Sequence, residues 1–273
     1  MELIASSRII KAQARVEAAR PYAEEMRRVM GSVASHAGRT DHPLLVARQT
    51  VRSVGTIVIS SDRGLAGAYN SNVIRAAERD LQAHGKDPRV FLVGKKAITY
   101  FRFRGYEFSD SWTGMSDQPT IEDARTVARA VSEAFTTGEV DQVRLAYTRY
   151  TSALVQRPAV VQLLPLAQGD LDEEDQGDKA GSAEYTFEPE PDEILGALLP
   201  RYIEGTIYQG MLEGSASEHA ARRRAMKAAT DNAEELIERL TRNYNQARQA
   251  EITTEIMEVV GGAEALTTAA EEQ

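Results

Sequence analysis

The 273 residues contain no cysteine. That excludes disulfides and thiol catalysis, and it fits a reducing compartment. Aromatic residues make up only 6% and tryptophan occurs once, a composition that suits long helices packed on small side chains better than a bulky globular core. No apolar run approaches the roughly 20 residues needed to span a bilayer, and the N-terminus has no signal-peptide core. Positive charge is also in deficit: 32 Lys and Arg stand against 41 Asp and Glu, a net charge of -9, which argues against nucleic acid as the main partner. The histidines, His36, His42, His84 and His219, are scattered without metal-ligand spacing, and each reads as an ordinary surface residue.

What is present falls into segments. Residues Ala5, Ile9, Ala12, Val16, Ala19, Ala23, Met26, Met30 and Val33 step by four and three without a break, the heptad seam of a coiled coil. Pro21 lies inside this pattern and is expected to bend the helix or loosen a turn. From Val51 to Leu164, runs rich in β-branched residues at 55–60, 89–93, 142–150 and 159–164 alternate with helical patterns at 70–83, 95–103 and 121–135. This alternation predicts a mainly parallel sheet covered by helices, and the later strands suit an antiparallel edge. The acidic stretch 167–184, poor in large apolar residues, reads as a mobile surface loop.

A last helix opens near Pro191 or Asp192 and is expected to kink at Pro200. Met226, Thr230, Ala233, Ile237, Leu240, Tyr244 and Ala247 again step by four and three. Continuous to about Val260, this helix would be ~100 Å long. The expected fold is α/β: a long antiparallel coiled coil of the terminal helices plus a central Rossmann-like domain. The divisions are an N-terminal helix at 1–48, the α/β domain at 49–166, the acidic loop at 167–190 and the C-terminal helix at 191–273.

Chemical motifs are sparse. "SDRGLAGAYN", residues 61–70, follows a predicted strand, but it lacks the Gly-Lys-Ser/Thr of a P-loop and the G-x-G-x-x-G spacing of a dinucleotide fold. It reads as a strand-to-helix turn, with Asn70 or Ser71 capping the helix. The acidic run 172–175 lacks the turn glycine and ligand spacing of an EF-hand. Arg222, Arg223 and Arg224 with Lys227 form a short basic patch, read as a solvated helical face. No catalytic constellation emerges, so the sequence points to action by shape and contact, with no cofactor.

Four ordered stretches nevertheless resemble one family. "SDRGLAGAYN" resembles the SDRGL-x-G-x-x-N loop of the γ subunit of F-type ATP synthases. "ITTEIMEVVGGAEAL" is similar to that family's C-terminal signature, "SEHAAR" and "AMKAATDNA" match the segment before it, and "MELIASSRIIKAQ" resembles its first-helix motif. Family members usually carry several more helical turns ahead of the methionine matching Met1, so a shortened N-terminus is expected. The acidic loop looks like actinobacterial versions.

The resemblance implies a non-catalytic central stalk inside a ring of α and β subunits, with the α/β body below against the ε subunit and the c ring. Its place would be the cytoplasmic face of the cell membrane, as a peripheral subunit. By the same resemblance, Arg248, Gln249, Thr253 and Glu255 on the shaft, and Arg63 and Ala66 in the loop, would contact β subunits. Tyr185, Phe187 and Glu188 would contact ε or the c ring. A competing possibility is that Arg63 pairs with Asp62 or another internal acid. Gly261 and Gly262 would keep the tip slim. Two rival functions are an enzyme acting on a nucleotide or phosphorylated substrate, and a coiled-coil scaffold with no rotary partner.

Overall fold

The computed structural model describes residues 2–36, 42–45, 48, 50–84, 87–166 and 191–271. The acidic stretch 167–184 and the three residues Tyr185, Phe187 and Glu188 lie outside them. In chain order the elements are α1 (Glu2–His36), β1 (Ser53–Ile59), α2 (Tyr69–His84), β2 (Asp87–Val93), α3 (Lys95–Phe103), β3 (Phe108–Trp112), α4 (Ile121–Thr137), β4 (Gln142–Tyr150), β5 (Gln156–Leu164) and α5 (Pro191–Glu271). The chain divides into two compact units, Met1–Ala225 and Met226–Gln273, and α5 contributes to both.

In the first unit a five-stranded sheet runs in the order β3-β2-β1-β4-β5. β1 is parallel to β2 and β4, β2 to β3, and only the edge strand β5 is antiparallel to its neighbour. The central β1 is buried along its whole length, which explains its unbroken Ile57-Val58-Ile59 run: both faces are covered, so no polar alternation is needed. Val58, Leu92 and Ala146 share one core with Val73, Ala77 and Leu81 of α2 and Ala97 and Phe101 of α3. Ile57, Ile59, Phe91 and Leu145 share the other with α4, with Met30 and Val33 of α1, and with Leu199, Ile203 and Ile207 of α5. α4 is delimited locally by a Thr120–Asp123 capping box and by Gly138 in the left-handed region at its C-terminus.

The heptad seam of α1 is buried as expected: Ala5, Ile9, Ala12, Val16, Met30 and Val33 fully, Ala19, Ala23 and Met26 partly. Its partner is the first unit's share of α5. Tyr22 lies against Gly205, and Ile9, Ala12 and Val16 cluster with Leu212, Ala216 and Ala220, so the two helices run antiparallel. Both helices continue through Pro21 and Pro200.

Two expectations change. β3, with sequence Phe-Ser-Asp-Ser-Trp, was not anticipated because its three central residues are exposed and polar, as an edge strand permits. The second seam, from Thr230 to Ala247, is solvent-exposed, with Ile237 at 63% and Tyr244 at 64%. With Tyr22 already set against Gly205 in an antiparallel pair, the α1 residues before it are taken up by α5 residues of the first unit. In the second unit α5 is exposed at every residue from 227 to 263.

Candidate functional site

The loop after β1 is built to cap a neighbouring helix. Gly94, at the start of α3, sits at φ 96 with no side chain of its own to cap the helix. A Cβ there would lie 2.4 Å from the Ser60 carbonyl oxygen, so only glycine fits. The caps come from the β1 loop instead. Ser60 Oγ accepts from Ala97 N at 3.0 Å, and Asp62 Oδ1 accepts from Lys95 N at 3.1 Å. Asp62 Oδ2 accepts from Gly114 N at 2.8 Å, which ties the loop to the turn after β3. A carboxylate at a helix N-terminus also complements the helix dipole. Asn70 does not cap α2 as expected. Its Oδ1 accepts from Ser61 N at 3.0 Å and closes the loop on itself.

A charged cluster grips this loop from α5. Arg222 donates from Nε and a terminal nitrogen to the Gly64 carbonyl at 3.3 and 3.2 Å, and the same guanidinium pairs with Glu218. His219 Nε2 lies 3.3 Å from Asp117, whose carboxylate also receives Arg8 of α1. Burial pushes the Glu218 carboxyl above its usual range, while the Arg222 pair pulls the other way. Burial likewise lowers the His219 imidazole, against the pull of Asp117. His219 is therefore not a surface histidine: it is 2% exposed. The arginine run is not simply a wet face either. Arg222 is buried, and Arg224 donates to the carbonyls of Ala153 and Leu154 at 3.1 and 3.0 Å.

In open α/β sheets, ligands enter the crevice beyond the C-terminal strand ends where the strand order reverses, here between β1 and β4. α5 occupies that place. A Cβ on Gly210 would lie 3.2 Å from Leu145 and 3.3 Å from Ile59, one on Gly214 3.2 Å from Ile59 and Tyr69, and Ser217 Oγ donates to the Thr148 carbonyl at 3.3 Å. The two glycines let the helix backbone come down onto the strand ends where a phosphate would sit. Among the described residues, no cluster of three or more potential metal ligands exists, and no helix is long and apolar enough to cross a membrane.

The expected contact residues divide between the two units. Arg63 reaches out with a side chain 63% exposed, yet one of its nitrogens lies 3.9 Å from Asp117, so an internal acid does attend it. Ala66 is 2% exposed and offers a partner no surface, because its methyl is turned into the protein. Leu65 beside it is the exposed residue, at 63% and φ 61. Arg248, Gln249, Thr253 and Glu255 are exposed on the second unit, with the Thr253 hydroxyl donating to the Gln249 carbonyl at 2.7 Å. The sequence reading missed Glu218 and His219 as buried groups. The signal available was polar residues at 213, 215, 217, 218 and 219 within the stretch 210–221, which otherwise carries small and apolar ones.

The family model described as ATP synthase matches residues 1–266. An ATP synthase gamma chain of Parafrankia sp. is 49% identical, with 99% of this chain and 92% of the relative covered. That of Saccharopolyspora erythraea is 45% identical with the same coverage. In fold, the chain is similar to the Tetrahymena thermophila mitochondrial ATP synthase central stalk and c-ring structure, with TM-score 0.63 at 24% identity, covering 84% of this chain and 97% of that one. Identity at this level along nearly the whole length, with the helix pair and sheet in place, establishes that the chain belongs to the ATP synthase γ chain family.

Proposed function

We propose that this chain is the non-catalytic central stalk of an F-type ATP synthase, turned by the proton-driven c ring and imposing sequential states on the nucleotide sites of the α/β ring. What supports the reading most is near-full-length identity to γ chains. Its partners are the α and β subunits, the ε subunit and the c ring, and its place is the cytoplasmic face of the cell membrane. The exposed residues Arg248, Gln249, Thr253 and Glu255 meet β subunits around the shaft. In the loop the contact passes through Arg63 and Leu65, two large outward side chains, in place of Ala66. Tyr185, Phe187 and Glu188 meet ε or the c ring. An enzyme using the crevice is disfavoured because Gly210 and Gly214 of α5 fill it.

Co-expression with α, β and ε subunits tests the reading. The chain is expected to co-purify with an α/β hexamer and to be required for proton-driven ATP synthesis in vesicles. Arg248→Ala with Gln249→Ala is expected to lower turnover of that complex while leaving the helix content of the free chain intact. A chain that never associates with the hexamer, or that binds ATP by itself in calorimetry, overturns it.

A further inference from the structure

Every residue of α5 from Gly210 to Ala220 is buried, eleven in succession. A helix buried all round is wrapped by its surroundings rather than laid on a surface. The wrapping here differs in chemistry from the packing just before it. Leu195, Leu199, Ile203, Ile207 and Met211 meet the sheet and α1 through apolar contact, which is non-directional, with one ion pair beside them from Glu204 to Arg125 of α4. From Glu213 onward several hydrogen bonds and ion pairs to named groups of the body join the apolar contacts.

They come from opposite sides of the helix. Successive residues turn by about 100° around a helix axis, so Glu213, Ser217 and Arg224 share one face, and Ser215, His219 and Arg222 lie roughly half a turn away. The first three hold β4 and its hairpin. Glu213 accepts from Tyr150 N at 2.9 Å, Ser217 donates to the Thr148 carbonyl, and Arg224 donates to the Ala153 and Leu154 carbonyls. The second three hold the loops. Ser215 donates to the Asp117 carbonyl at 3.0 Å, His219 pairs with Asp117, and Arg222 donates to Gly64. The α1 contacts, Leu212, Ala216 and Ala220, close a side between them. Directional bonds on opposite faces resist rolling of a helix about its own axis, which apolar contacts alone allow.

We propose that residues 213–224 form a torque collar: the joint at which the α/β body fixes the rotational setting of α5, so that turning the body turns the helix without slip. This rests on the central-stalk reading. The test exploits the absence of cysteine. A Cβ on Gly67 would lie 3.8 Å from that of Ala225, the separation a disulfide requires. A Gly67→Cys, Ala225→Cys pair therefore staples the loop to α5. Gly67 sits at φ 54, where any side chain is strained, so each complex is compared with itself before and after oxidation.

In vesicles holding the assembled complex, Ser215→Ala, Ser217→Ala and Arg224→Gln are combined with the cysteine pair. Protons pumped per ATP hydrolysed are then measured against an opposing gradient. We expect a loss of twofold or more when reduced, and recovery on oxidation. If the combined variant does not assemble, Arg224→Gln alone, at the exposed rim, carries the same comparison. A pumping ratio equal to that of the unsubstituted chain, or a loss that oxidation leaves unrepaired, overturns the collar while the stalk reading stands. An unsubstituted chain that never joins the α/β hexamer overturns the stalk reading itself.

Discussion

Glu218 and His219 are adjacent, buried and titratable, and their effects on stability run in opposite directions. The His219 imidazole is held below 6.5 in the folded chain, so the fold favours its neutral form. That contribution is complete above about pH 6.5 and is lost as pH falls through the lowered value. The Glu218 carboxyl is held above 4.5, so its protonated form suits the fold, and acidification through its range adds stability. Asp117 lies against His219 and receives Arg8, and Arg222 pairs with Glu218. Comparing denaturant midpoints between pH 8 and pH 5 separates the two groups. His219→Gln removes the descending contribution, so the variant is expected to lose less stability on acidification than the unsubstituted chain. An equal loss in both would assign the acid sensitivity elsewhere.

The elements differ in how far their surroundings can be read from order alone. The α1 seam, from Ala5 to Val33, was legible because a long regular period survives wherever its partner lies in sequence. β4 and α3 were legible to the residue, since β-branched alternation and a bounded helical pattern are local signals. β3 was not, because an edge strand of serine and aspartate carries no apolar period. In the candidate site, Arg63 was placed outward correctly, whereas Ala66, His219 and Arg222 were misplaced outward. For Arg222 and His219 the partners are the Gly64 carbonyl and Asp117, about 100 to 160 positions distant, which no local pattern reports.

The same periodicity on α1 and on the second unit has unequal energetic meaning in the free chain. Ile9→Ala, at a residue 3% exposed, is expected to cost about 2–4 kcal/mol of folding stability. Ile237→Ala, at a residue 63% exposed, should stay within about 0.5 kcal/mol. Chemical denaturation of the two variants checks this directly. A large loss from Ile237→Ala would show that the second seam is covered in solution.

At the scale of the whole molecule, the first unit carries two apolar cores on the sheet and a third cluster between α1 and α5, and these set its stability. Residues 168–181 are acidic and poor in large apolar side chains, so deleting them is expected to change thermal stability by no more than about 0.5 kcal/mol. A calorimetric scan showing a larger drop would mean the acidic segment packs against the body. The wrapped stretch of α5 also has a consequence for the order of synthesis. Part of the cover over Ile59 and Leu145, and most of that over Ile9, Ala12 and Val16 of α1, comes from residues near 199–220, the last part of the first unit to be made. At roughly 5–20 residues per second, the first helix waits about 10–40 s on the ribosome with its apolar edge bare. The nascent protein thus keeps one sheet face only part-covered and much of an amphipathic helix bare until translation is nearly over, a natural client for a holding chaperone.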